Sequence, residues 1–262
     1  MFRGIAIALF VLCACLTFPS AAMATEYDRD EALAISQAAI GRPLVDLAFR
    51  DIHGQQFRLA DLRGKPLVIS LIFTSCHHVC PVITRNIKEN AEIAREALGD
   101  DSFSVITIGF DWQVDTPDLM RMFASKHGID VENWHFLSGD EASIAAISEN
   151  LGFQFFPSTR GFDHLSQTTI LDADGIIYRQ VYGENFTAPT FVEPLKELVF
   201  NTPRSAGLLD HWVDNFKLFC TVYDPNSGRY RFDYSIFMTI LVGTLCLGAI
   251  ATFVVREWRN AR

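Results

Sequence analysis

The residues best equipped for chemistry are Cys76 and Cys80, in the stretch Thr74-Ser75-Cys76-His77-His78-Val79-Cys80-Pro81 that follows the apolar run 67–73. Thiolates are soft ligands and nucleophiles, so two of them four positions apart suit either a soft metal or disulfide chemistry. A helix beginning near Cys76 would put both sulfurs on one face of its first turn, where unpaired backbone N–H groups and the helix dipole favour thiolate. Structural zinc asks for a closed set of four ligands. Cu(I) accepts two thiolates and one imidazole, and Cu(II) can take a further ligand. The plain alternative is a stabilising disulfide, whose small ring would constrain the unfolded chain little. His77 and His78 would lie roughly 100° and 200° around such a helix from Cys76, turned away from the pair.

A third donor has to come from elsewhere, and the elements decide which. Residues 46–50 and 56–59 flank His53-Gly54 as a hairpin, and 67–73 reads as a strand covered on both faces. After Pro81 the apolar positions Val82, Ile83, Ile87, Ala91, Ala94 and Leu98 have helical spacing and stop at Gly99. A buried strand follows at 103–110, and Thr116-Pro117 opens a helix that closes at Gly128. Then come a strand at 134–137, a helix over 140–151, a hairpin of 168–171 with 176–181 around Asp172-Ala173-Asp174-Gly175, and a last helix over 190–200. This order is that of an α/β, thioredoxin-like sheet. In such a sheet the strand after His164 neighbours the strand that ends at the cysteines, so His164 is the best-placed third ligand. His53, His127, His135 and His211 have no partner in a motif and read as surface or packing residues.

The two ends of the chain set the compartment. Residues 1–24 carry Arg3, a mostly apolar run to Phe18 and the pattern Ala22-Met23-Ala24, a secretory signal with cleavage before Thr25. Lipidation of Cys15 is the competing reading of that segment. Residues 236–255 hold no charge, enough at ~1.5 Å per residue to span a ~30 Å hydrocarbon core. Arg256, Arg259 and Arg262 follow, which puts the tail 256–262 in the cytoplasm. The expectation is a single-pass protein of a bacterial inner membrane whose soluble domain, 25–200, is periplasmic. Residues 201–235 would join the two: Leu208, Leu209, Trp212, Val213, Phe216 and Phe219 line one face of a docking helix. Asp224-Pro225-Asn226-Ser227-Gly228 makes a hinge turn, and Tyr230, Phe232 and Tyr234 suit a membrane interface. A formal net charge of −9 argues against nucleic acid as a partner. Of six cysteines, Cys13 and Cys15 fall in the signal and Cys246 in the span. The remaining Cys76, Cys80 and Cys220 are too few for a disulfide scaffold. Cys220 reads as a small hydrophobe on the docking helix.

Over about residues 41–200 the chain resembles the Sco/SenC family of copper proteins that serve cytochrome oxidase assembly. The resemblance rests on Gly64-Lys65-Pro66 before the apolar strand, Thr-x-Cys-x-x-x-Cys-Pro from Thr74 to Pro81, Asp115-Thr116-Pro117 at a helix start, and Asp163-His164 before a strand and an Asp-x-x-Gly turn. It implies a thioredoxin-like fold that binds copper, as Cu(I) or Cu(II), through Cys76, Cys80 and His164. It also implies a metallochaperone that delivers copper to the binuclear centre on the copper-bearing subunit of a cytochrome oxidase, supplied by an upstream copper donor. The same resemblance admits a thiol–disulfide reductase in which Cys76 and Cys80 are catalytic, served by a thiol reductant, so an enzymatic role stays open behind the metal-binding one. Three features depart from the family pattern. The anchor is C-terminal where members are typically held at the N-terminus, His77 stands where Pro is frequent, and Trp112 follows Asp111 where Pro is frequent. The three residues between the cysteines, against two in thioredoxins, favour metal over general disulfide exchange.

Overall fold

A computed structural model describes residues 27–129, 133–201, 221–224, 227, 229–232 and 234–260. The signal segment 1–24, most of the expected docking helix, His211 and Cys220 lie outside the described residues. The chain opens with α1 (Arg29–Gln37), capped by the Asp28 carboxylate accepting from the backbone N–H of Asp30 and Glu31. Then come β1 (Ala48–Asp51), β2 (Gln56–Arg58), β3 (Leu67–Ile72), α2 (Val79–Leu98), β4 (Ser104–Gly109), α3 (Pro117–Lys126), β5 (Trp134–Ser138) and α4 (Glu141–Leu151). Two hairpins follow, β6 (Phe155–Ser158) with β7 (Gly161–His164) and β8 (Gln167–Leu171) with β9 (Ile177–Tyr182), and then α5 (Ala188–Asn201). The last elements are a hairpin of β10 (Thr221–Asp224) and β11 (Arg229–Phe232) and the long helix α6 (Ser235–Asn260).

Seven strands form one sheet in the order β2-β1-β5-β4-β3-β8-β9. Strands β3, β4 and β5 are parallel neighbours, while β8 runs antiparallel to β3 with Leu67 opposite Leu171 and Ser70 opposite Thr168. Every residue of β3 and β4 is buried, as expected of strands with helices on both faces. Antiparallel pairing puts the start of β8 beside the end of β3, so the segment that precedes β8 is brought to the cysteine turn. That juxtaposition is the one the sequence order predicted.

The remaining elements refine the expectations. Thr116 caps α3 with Pro117 in its first turn, and Asp140 caps α4. The hairpin β10–β11 packs on the domain: Tyr230 Oη donates to Glu193 Oε1 at 2.7 Å and Arg229 pairs with Glu96 at 3.1 Å. Tyr230 is therefore a docking residue rather than part of an interface belt. Helix α6 holds a segment, Phe237–Asn260, long and apolar enough to cross a membrane, and none of it is buried against the rest of the protein.

Candidate metal and thiol site

The site begins where β3 ends. Phe110 N–H donates to Ile72 O at 2.8 Å and Cys76 N–H to Phe73 O at 3.0 Å, closing a turn over residues 73–76. The turn is fastened from below by Asp115, which is fully buried. Its carboxylate accepts from Thr74 N–H at 2.8 Å, Thr74 Oγ1 at 2.6 Å and Asp111 N–H at 2.9 Å, tying the ends of β3 and β4 together. Burial pushes the Asp115 pKa up and those hydrogen bonds pull against it. The sequence marked Asp115 only as part of a helix start. Its role in the site becomes visible once β3 and β4 are adjacent.

Helix α2 starts at Val79, three residues later than a start at Cys76 would require, with His78 as its cap. The two sulfurs are therefore not on one helical face. Cys76 sits in the turn ahead of the helix, and Cys80, in the first turn, is buried. The consequence for chemistry is stronger than the predicted one, because the Cys76 sulfur lies where the unpaired N–H groups of the helix point. Cys80 N–H donates to Cys76 Sγ at 3.3 Å. The Cys76 pKa is lowered to about 5, chiefly by a hydrogen bond from the Cys80 thiol and further by the backbone N–H of Cys80, His78 and Val79, with burial opposing. The Cys80 thiol is pushed far up, first by that same bond and then by burial. The pair is thus one thiolate and one thiol sharing a proton between them. His77 and His78 are exposed and turned to solvent.

His164 closes β7 rather than lying in a loop. Its ring is packed against Phe73, Phe110 and Phe153, with centroids 6.1, 5.5 and 5.4 Å away. Gly161 permits this packing: at φ 111° it lies so close to Phe73 that a Cβ would meet the ring at 2.7 Å. The His164 Nδ1 lies 3.1 Å from Leu165 O. A carbonyl can only accept, so Nδ1 carries the proton and Nε2 keeps its lone pair. Burial lowers the His164 pKa and keeps the ring neutral, partly offset by the nearby Cys76 charge. Among the described residues no three Cys, His, Asp or Glu side chains converge on one point that would hold an ion. The sulfur pair is assembled, and His164 stands within electrostatic reach of it. Two sulfurs and a neutral imidazole nitrogen fit a soft, low-coordinate ion better than a hard one.

Known proteins resemble this chain in sequence and in fold. The family model for SCO1/SenC matches residues 41–199. A SCO1 protein homolog of Bacillus subtilis is 28% identical over 93 residues, 35% of this chain and 46% of its own length, so the chain spans about half of that relative. A putative electron transfer protein from Aquifex aeolicus superposes with a TM-score of 0.56 at 27% identity, over 66% of this chain and 98% of that one. BsSco, a member of the Sco family of cytochrome c oxidase assembly proteins that has a disulfide switch, shares the fold with a TM-score of 0.56 at 19% identity, over 62% of this chain and 96% of its own. Yeast Sco1 with copper bound shares it at 0.53 and 17%, over 66% and 98%.

Proposed function

The chain belongs to the SCO1/SenC family, and from that membership we propose that it is a membrane-anchored copper metallochaperone, carrying copper to the binuclear centre of a cytochrome c oxidase. The observation that carries this reading is the Cys76–Cys80 pair beside a neutral imidazole with a free Nε2. Copper is the cargo. As Cu(I) it can rest on two sulfurs, and as Cu(II) it needs the nitrogen of His164. Loading requires the shared Cys80 proton to leave, so binding releases a proton and strengthens with pH. Copper-bound and oxidase-assembly relatives of the same fold support the assignment. In this reading residues 25–200 are exported, 236–255 span the bacterial inner membrane, and 256–262 are cytoplasmic.

A thiol–disulfide reductase is the second reading, favoured by the Cys76 thiolate itself. Cys76 would attack a disulfide and Cys80 would resolve the mixed disulfide, expelling the client thiolate. Resolution needs the Cys80 proton removed from a buried thiol whose pKa is raised. That asymmetry slows disulfide exchange more than metal binding, where the ion itself displaces the proton.

The test uses the full chain purified in detergent. It should bind one copper when reduced, and Cys76→Ser or Cys80→Ser should each remove most of the affinity. Cells carrying either variant should make oxidase without its copper centre, restored by added copper. Restoration by added thiol reductant and not by copper would put the reductase first. Normal copper binding by both variants would sink the site.

A further inference from the structure

Two side chains of the thiol turn have no part in the site described above. His77 and His78 stand between the cysteines, both exposed, and His78 caps α2 without lending its imidazole to a capping hydrogen bond. Only on a helix begun at Cys76 would both rings point away from that sulfur. The helix begins at Val79, so the two histidines share the turn with Cys76. His78 is tied to it more closely, because its backbone N–H is one of the groups hydrogen-bonded to the Cys76 sulfur. From that backbone position, rotation of the side chain carries an imidazole nitrogen to an ion resting on the sulfur.

Burial ranks the donors from outside to inside. Cys76 is half-buried, Cys80 is 1% exposed, and His164 is packed against Phe73, Phe110 and Phe153. An ion arriving from solvent therefore meets Cys76 and the two exposed imidazoles before it touches Cys80. Cu(I) is soft and accepts a low coordination number, so one thiolate and one imidazole hold it, whereas Cu(II) asks for a fuller set and is left to the inner site. A donor pair at the entrance splits loading into capture and an intramolecular second step, which a high effective concentration speeds. We propose that His77 and His78, together with the Cys76 sulfur, form an outer Cu(I) site on which the ion lands before it passes to Cys76, Cys80 and His164. The passage is a ligand exchange at constant oxidation state. The Cys76 bond is kept, imidazole lets go, Cys80 Sγ binds in its place, and the Cys80 proton goes to solvent. Because both sites share Cys76, one ion is held at a time. This rests on the reading above, in which copper is the cargo.

The probe is Cu(I) bicinchoninate mixed with the reduced full chain in detergent, with loading read as loss of the complex's colour. His77→Ala/His78→Ala, at two exposed positions, should reach the wild-type endpoint of one copper about tenfold more slowly. His53→Ala removes another exposed histidine, in the β1–β2 turn, and should leave the rate alone. Cys80→Ser keeps Cys76 as the one sulfur of the site and should hold Cu(I) weakly. Adding His77→Ala and His78→Ala to it should weaken that residual binding about tenfold further, although the same two changes leave the final affinity of the wild type intact. Equal loading rates in the wild type and His77→Ala/His78→Ala would overturn the proposal. So would residual binding in Cys80→Ser that ignores both histidines, or a His53→Ala variant as slow as the pair. The endpoint separates the two readings: one copper reached at equal rates sinks the outer site alone, whereas no copper on the wild-type chain sinks the chaperone and the outer site with it.

Discussion

Cys76 is acidic because its neighbour four residues on gives it a proton to share and the helix behind it gives it backbone N–H groups. The rate of its alkylation by iodoacetamide should therefore rise with pH through an inflection near 5. Cys80→Ala, which deletes the largest contribution, should move that inflection up towards the ordinary thiol range. The linkage sign follows from the lowered value: the unfolded chain holds the Cys76 proton up to about 9, the folded one only to about 5, so this group adds stability as pH rises across that window. Thermal unfolding of the wild type and of Cys76→Ser at several pH values checks it, and a difference between them that shrinks as pH rises would contradict it. His164 separates metal from thiol chemistry at the same scale. His164→Ala should abolish sulfur-to-Cu(II) charge-transfer absorption and weaken Cu(I) binding less. It should leave the thiol titration intact, because the ring contributes a nitrogen and not a proton acceptor for the pair.

Among the elements, the decisive contact is between two strand ends and the loop after β4. Gly109 has no room for a side chain, since a Cβ there would meet Asp115 Cβ at 2.5 Å and Met120 Sδ at 2.9 Å. Asp115 in turn holds the turn that carries Cys76. Asp115→Asn replaces an acceptor-only oxygen facing Thr74 or Asp111 with an N–H₂ donor, so about 1–3 kcal/mol of stability should be lost. Circular dichroism melting in detergent measures this, together with weaker copper retention as the turn loosens; an unchanged midpoint would show that the carboxylate is dispensable. The α/β order of elements, the buried strands β3 and β4 and the pairing of β3 with β8 were legible from hydrophobic runs and turn residues, which report burial and chain reversal directly. The start of α2 was not, because a Cys-His-His run has no strong cap signal and Pro81 is tolerated anywhere in a first turn. The β6–β7 hairpin was missed because Pro157 argues against a strand, and this one sits in a separate two-stranded sheet with free edges. The Phe73, Phe110 and Phe153 cage was invisible for another reason: its members come from distant segments and meet only in three dimensions.

At the scale of the whole molecule, the α/β fold is tied to a candidate membrane span by a hairpin that docks on α2 and α5. The exposed Arg229–Glu96 pair adds little by itself. The Tyr230–Glu193 bond does more, because the phenol is half-buried and burial and the carboxylate both push its pKa up. Tyr230→Phe should leave copper binding unchanged and speed proteolysis between α5 and α6, read by limited digestion of the detergent-solubilised chain. Orientation is checked by fusing, after Arg262, a reporter active only outside the cytoplasm; the arginines of the tail predict silence, and activity would reverse the topology. The central claim, that copper is held by Cys76, Cys80 and His164, is tested most directly by X-ray absorption at the copper edge of the full chain loaded with one Cu(II). The account predicts a shell with two sulfurs at thiolate distance and an imidazole signature that His164→Ala removes. A shell of nitrogen and oxygen alone, or an imidazole signature that survives in that variant, would contradict it.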